Sequence, residues 1–197
     1  VELTWSVPKN SAGPDVSVAL SGHTDSVTAL GFLSYTEQHR TLLISASASD
    51  LLLWLGPRFG DSIAASATFR CVGLLSPSAE GLQAATHVAL STHSGDVWFA
   101  VAVGQKIVVG SIPSSLLTGN GGEPTIQCQL SGHEGTITAT SFVSSHHGAT
   151  GSGGVALLLA SASEDRTLKL WDVASKTFVY STSIVSASPF TSLTAHA

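Results

Sequence analysis

The feature that most constrains this chain is that part of it is written twice. Leu20-Ser21-Gly22-His23-Thr24-Asp25-Ser26-Val27-Thr28-Ala29 is echoed by Leu130-Ser131-Gly132-His133-Glu134-Gly135-Thr136-Ile137-Thr138-Ala139. The echo resumes at Leu42-Leu43-Ile44-Ser45-Ala46-Ser47 against Leu158-Leu159-Ala160-Ser161-Ala162-Ser163, and again at Trp54 against Trp171-Asp172. Matched anchors in the same order mark a supersecondary unit repeated along the chain. Such a unit cannot bury its apolar faces alone and must stack on its neighbours.

The unit is built from strands. Short apolar runs are separated by Gly, Ser, Asp and Pro, and no stretch sustains a 3.6-residue period. Strands are expected over 16–20, 26–33, 41–47, 50–55, 68–74, 86–91, 97–103, 106–112, 125–130, 136–143, 155–162, 167–173, 177–184 and 190–194. They group in fours. A Gly-His turn opens each well-formed unit and a Trp closes its third strand. These residues resemble the WD-repeat family, whose blades are four-stranded antiparallel sheets set around an axis. The last unit is nearly a full consensus: Gly132-His133, Ser161-Ala162-Ser163-Glu164-Asp165 and Leu168-Lys169-Leu170-Trp171-Asp172.

The resemblance implies an all-β WD40 β-propeller fragment, about half of a seven-bladed ring. Its parts would be the end of a preceding blade over 1–20, a WD blade over 21–74, a degenerate blade over 75–130, a WD blade over 131–184 and the start of a following blade over 185–197. The degenerate blade is blade-like by spacing only, with a tight turn at Gly104-Gln105. Trp5 stands at the third-strand position of the preceding blade. Because propellers close with four to eight blades, the rest of the ring is expected as a partner. The segment alone is expected to expose apolar faces and to associate or aggregate.

The resemblance also implies a buried hydrogen-bonded set of His133, Ser161, Asp165 and Trp171. Asp165 would fix the imidazole tautomer, Ser161 would bridge to His133, and the Trp171 indole N–H would donate to Ser161. Breaking one link would strand a buried polar group at a cost of about 1–3 kcal/mol. In the earlier blade His23, Ser45 and Trp54 match, but Ser49 falls at the Asp position, Asp50 follows it, and the turn is one residue shorter. A partial network is expected there. A catalytic Ser-His-Asp triad is the competing reading of the same residues. It would need an exposed Oγ and an oxyanion hole, and no Gly-x-Ser-x-Gly elbow is present.

Function then rests on loops carried by a rigid scaffold. The Gly-His end would expose Thr24, Asp25, Glu134, Glu164 and Arg166, mostly acidic, so a basic protein or peptide face is the partner these residues suit. A non-catalytic protein-binding scaffold is the leading expectation. The alternatives are a substrate receptor of a ubiquitin ligase and a propeller-based hydrolase. Such receptors often carry Arg two residues after Trp-Asp, whereas Trp171-Asp172 is followed here by Val173-Ala174.

Composition narrows the classes further. Charged residues make up 11% of the chain and the formal charge is -5, against a usual charged fraction of about 25%. No run of Lys or Arg supplies a nucleic-acid footprint. The apolar stretch Val97 to Val109 is interrupted by Gly104, Gln105 and Lys106, so no membrane span is expected. Cys71 and Cys128 are expected on outer strands, unpaired, which fits an intracellular protein, cytoplasmic or nuclear. No cofactor or metal is expected. Adjacent His146-His147 in the Ser144–Gly154 loop rarely address one ion, Gly119-Asn120-Gly121-Gly122 lacks the Lys-Ser/Thr of a phosphate loop, and His39, His87 and His93 have no evident ligand set.

Overall fold

A computed structural model describes residues 2–7, 16–35, 40–57, 70–75, 85–145, 156–182 and 187–194. Three four-stranded antiparallel sheets follow one another along the chain. The first joins β3 (Val27–Tyr35), β4 (Arg40–Ser47), β5 (Leu51–Pro57) and β6 (Arg70–Leu75). The second joins β7 (Ala85–His93), β8 (Asp96–Val103), β9 (Lys106–Ile112) and β10 (Thr125–Ser131). The third joins β11 (Ile137–Ser145), β12 (Ala156–Ser163), β13 (Leu168–Asp172) and β14 (Thr177–Ser181). Ahead of them β1 (Glu2–Val7) pairs with β2 (Val16–Ser21), Trp5 opposite Val18. β1 is a strand that the apolar pattern did not single out. His39 and the His146-His147 pair lie outside the described residues, while Ser144 and Ser145 end β11 rather than open a loop.

The sheets stack face to face, and this explains the apolar runs. On β4, Leu42, Ile44 and Ala46 enter a core shared with Val88, Val97, Phe99 and Val101 of the second sheet. The alternate residue Leu43 faces the other way, into a core with Leu20, Leu52 and Trp54. On β8, Val97, Phe99 and Val101 face the first sheet, while Ala100 and Ala102 join Ile137, Leu157, Leu159 and Trp171 of the third. A strand covered on both sides has no solvent face, so its sequence loses the polar alternation of a half-exposed strand. This stack is the arrangement of successive blades in a β-propeller.

The three sheets share one irregularity. The register slips between Val27 and Ala29, between Ala85 and His87, and between Ile137 and Ala139. The skipped residue is a threonine each time: Thr28, Thr86 and Thr138. A bulge frees a side chain from the pleat and re-aims it. The Thr86 hydroxyl donates to the Ile137 carbonyl of the next sheet at 2.6 Å, and the Thr138 hydroxyl donates to the Phe190 carbonyl at 2.6 Å.

That second contact bears on residues 190–194, which are not a strand as the apolar pattern suggested. No described strand pairs with them, and an extended segment without a ladder is not a β-strand. Phe190 nevertheless stands to Thr138 as Ile137 stands to Thr86. The all-strand expectation needs one further correction: Ser114–Thr118 form a short helix, α1. Five residues are too few to show a helical period. Leu117 plugs the core between the first two sheets, and the Asp96 carboxylate accepts the Ser114 N–H at 2.9 Å.

Thr41 breaks the pattern of the core. It is fully buried on β4, and its hydroxyl has no hydrogen-bond partner among the described residues. The equivalent positions of the next two sheets hold Val97 and Leu157. Thr41→Val keeps the shape and removes the stranded hydroxyl, so it should stabilise the fold by about 1 kcal/mol. The denaturation midpoint should rise at constant slope. A fall in midpoint would show that the hydroxyl is bonded after all.

Candidate functional site

In the third sheet four side chains form one continuous hydrogen-bonded line. Ser161 is fully buried on the central strand β12. The Trp171 indole N–H donates to Ser161 Oγ at 2.9 Å, and Ser161 Oγ lies 2.8 Å from His133 Nε2. On the far side of the ring, His133 Nδ1 lies 2.9 Å from Asp165 Oδ2. The roles follow from what each group can do. An ionised carboxylate only accepts, so Nδ1 carries the ring proton and donates a hydrogen bond to Asp165. In the neutral ring Nε2 then accepts from the Ser161 hydroxyl, which itself accepts the indole N–H. Asp165 is further held by the Glu134 N–H at 2.9 Å and by the Thr167 hydroxyl and N–H at 2.6 and 2.9 Å.

The electrostatics agree with this direction. Burial lowers the His133 pKa and outweighs the raising effect of Asp165. Burial alone would raise Asp165, but the donors from Thr167, Glu134 and His133 together hold it well below the usual carboxylate range. The contact is therefore a neutral imidazole against an ionised carboxylate. It is a charge-assisted hydrogen bond, not an ion pair. Gly132 lets the chain pass over the indole: a Cβ there would lie 3.2 Å from Trp171, and φ is 153°.

The first sheet carries a shorter version. His23 Nε2 lies 2.6 Å from Ser45 Oγ, and the Trp54 indole donates to Ser45 at 2.8 Å. Its β4–β5 turn is one residue tighter, since Ala46 pairs with Leu51 where Ala162 pairs with Leu168. Ser49 brings no carboxylate to that turn; the next residue, Asp50, does, and its Oδ2 accepts the Thr24 hydroxyl at 3.0 Å. The second sheet replaces the polar set with apolar packing. Val101 stands at the serine position, Gly110 at the tryptophan position, and Phe99 at the leucine opposite it. A Cβ on Gly110 would collide with the Phe99 ring. The aromatic side chain has moved from the third strand to the second, and glycine makes room for it. Only a pairwise register reveals this exchange.

The turns before β3 and β11, and the β4–β5, β8–β9 and β12–β13 turns, all lie at one end of the stack. Tyr35 at the far end of β3 donates to the Gly95 carbonyl at 3.1 Å, and Thr86 meets Ile137 at the near end. Thr24, Asp25, Glu134 and Glu164 are exposed at this rim. Thr24 is tied to Asp50, and Asp25 accepts the Ser26 N–H at 2.8 Å. Gln105 reaches from the second sheet to the Glu134 carbonyl at 2.9 Å. Arg166 departs from expectation: it is half-buried in a tight turn with φ of 67°. Asp50, Gln105 and Thr167 also belong to this rim. Thr167 followed the Asp165 turn in sequence and could have been found as a second donor to that carboxylate. Both cysteines are free, Cys71 exposed and Cys128 half-buried. No group of ligands suited to a metal occurs among the described residues.

The family model of the WD domain, G-beta repeat, matches residues 124–172. These residues run from the outer strand β10 through Gly132-His133 to Trp171-Asp172. The chain contains a WD40 repeat. Two solved structures share its fold. The crystal structure of the computationally designed Ika4 protein is 19% identical, with a TM-score of 0.52 over 90% of this chain and 84% of that one. The crystal structure of the RRP9 WD40 repeats is 18% identical, with a TM-score of 0.51 over 82% of this chain and 40% of that one. The WD40 match thus joins the hydrogen-bonded line and the sheet stack in one assignment, a nearly all-β propeller-type fold of four-stranded antiparallel blades.

Two outcomes follow for the WD40 repeat and its neighbour. On unfolding, His133 regains an ordinary pKa of about 6.5, so the unfolded chain takes up a proton first as pH falls. His133 therefore contributes stability that is lost on acidification below about pH 6.5. Asp165 adds a second loss below about pH 4, where the unfolded carboxylate protonates. The melting temperature should be level near pH 8 and fall from pH 6.5 downward. A rise over that range would mean that the native ring is a cation. In the second sheet, Gly110→Ala should cost about 1–3 kcal/mol. Adding Phe99→Leu should recover part of that loss in a double-mutant cycle, and additive losses would show that the two residues are not exchanging space.

Proposed function

We propose that this chain is a non-catalytic WD-repeat scaffold that binds basic segments of other proteins at the rim carrying Asp25, Glu134 and Glu164. WD40 propellers typically bind proteins and are generally not enzymes. The observation that carries the reading is the rim itself. Exposed carboxylates from two sheets sit on turns held by buried hydrogen bonds, so their positions are set before a partner arrives. The triad reading fails on Ser161, whose Oγ is fully buried and engaged by Trp171 and His133. Among the described residues no helix is long and apolar enough to cross a membrane.

Finer assignments belong to the same proposal. The tract from Leu159 to Ala187 resembles the N-terminal propeller of WD repeat-containing protein twenty-seven. We place the protein inside the cell, cytoplasmic or nuclear, on its two free thiols. The blade boundaries proposed are those at Ser21, Leu75, Ser131 and Val185.

The test is affinity purification of the full-length protein followed by mass spectrometry, beside a variant with Asp25, Glu134 and Glu164 changed to lysine. These side chains are exposed, so melting should change little. The wild type should retain basic partners that the variant loses, and the retained set should weaken as salt is raised. An unchanged partner set in the variant would remove the rim from the account.

A further inference from the structure

His87 lies on β7 where the equivalent positions of the first and third sheets hold Ala29 and Ala139. Its ring crosses to the next sheet. Nδ1 is 3.0 Å from Thr140 Oγ1, and the Thr140 backbone N–H donates to the same nitrogen at 3.3 Å. An amide N–H can only donate, so Nδ1 carries no proton and the ring proton sits on Nε2. Among the described residues β11 is the first strand of its sheet and pairs with β12 alone. The ring therefore gives an acceptor to a main-chain donor on an open edge, at a residue that is 2% exposed.

We propose that His87 is a pH-sensitive latch between the second and third sheets, closed when the ring is neutral and released when Nδ1 gains a proton. The two bonds respond differently. The Thr140 hydroxyl can turn and accept from a protonated Nδ1, but the amide cannot, and a buried N–H is left facing another N–H. Among the described residues no charged group beside the ring favours a cation. Of the strands packed against β7, β3 carries Tyr35 and β4 carries Arg40, paired at the far end. His93 of β7 and Asp96 of β8 pair at the far end of their hairpin. β11 has no titratable residue. Burial alone lowers the pKa of the ring. The Thr86 hydroxyl meets the Ile137 carbonyl in the same seam, so release of Thr140 leaves that clasp as the polar tie between β7 and β11.

The test is nuclear magnetic resonance on the full chain. The His87 ring should be the Nε2–H tautomer at pH 7.5 and should titrate below 6.5. Protection of the Thr140 amide, corrected for the intrinsic exchange rate, should fall at least tenfold between pH 7.5 and 5.5. In H87Q the side-chain carbonyl can accept but cannot titrate, so protection should persist at low pH. Should H87Q fail to fold, H87A copies the neighbouring sheets and should show low protection that does not vary with pH. Loss of protection shared by wild type and variant, or a ring titrating at or above 6.5, would overturn the latch.

Discussion

One buried hydroxyl ties the best-formed repeat together. Ser161 sits on a central strand with no access to solvent, accepts a hydrogen bond from Trp171 and donates one to His133. The line has one direction, from indole to carboxylate, and each member leaves the next a single role. Four parts of the repeat are joined by it: the turn before β11, the strand β12, the β12–β13 turn and the strand β13. The apolar stack supplies most of the burial, because it covers both faces of the central strands. Hydrophobic contact is not directional, however. The polar line sets which turn lies over which strand end, and so where the rim carboxylates stand.

The three sheets show how far that line can be altered. The first keeps serine, histidine and tryptophan, while the carboxylate of its shorter turn, Asp50, holds Thr24. The second discards the line and fills the same space with Phe99 against Gly110. A repeat therefore needs the volume beneath its turn to be filled, and it can be filled by a polar relay or by a relocated ring. The fixed positions of the rim turns and the inaccessibility of Ser161 follow from the same burial. Ser161 is buried and its hydroxyl is engaged by an indole and an imidazole at once, so it is not presented to a substrate.

Much of this was legible in the residues. The Gly-His turns, the serine in each apolar run and the tryptophans fell at repeating intervals, and interval is what a stacked repeat conserves in its own chain. The line of His133, Ser161, Asp165 and Trp171 could be named because those residues match the WD-repeat pattern that the intervals resemble. Other features had no interval to read. Helix α1 is shorter than two turns. The exchange of Phe99 and Gly110 is visible only when strands are paired. The skipped threonines look like any β-branched residue until the register slips. Residues 190–194 have the apolar pattern of a strand without a partner ladder. His87 looked like a lone histidine, because its partners are the hydroxyl and backbone N–H of Thr140, on a strand 53 residues away that no local pattern announces.

The proton position on His133 tests the account most directly. Nitrogen-15 spectra of the ring at pH 7.5 should show a neutral imidazole with its proton on Nδ1, slow to exchange and coupled to a hydrogen bond with Asp165, and an unprotonated Nε2 accepting from Ser161. A proton on Nε2, or a ring protonated at both nitrogens at that pH, would contradict the directed line from Trp171 to Asp165.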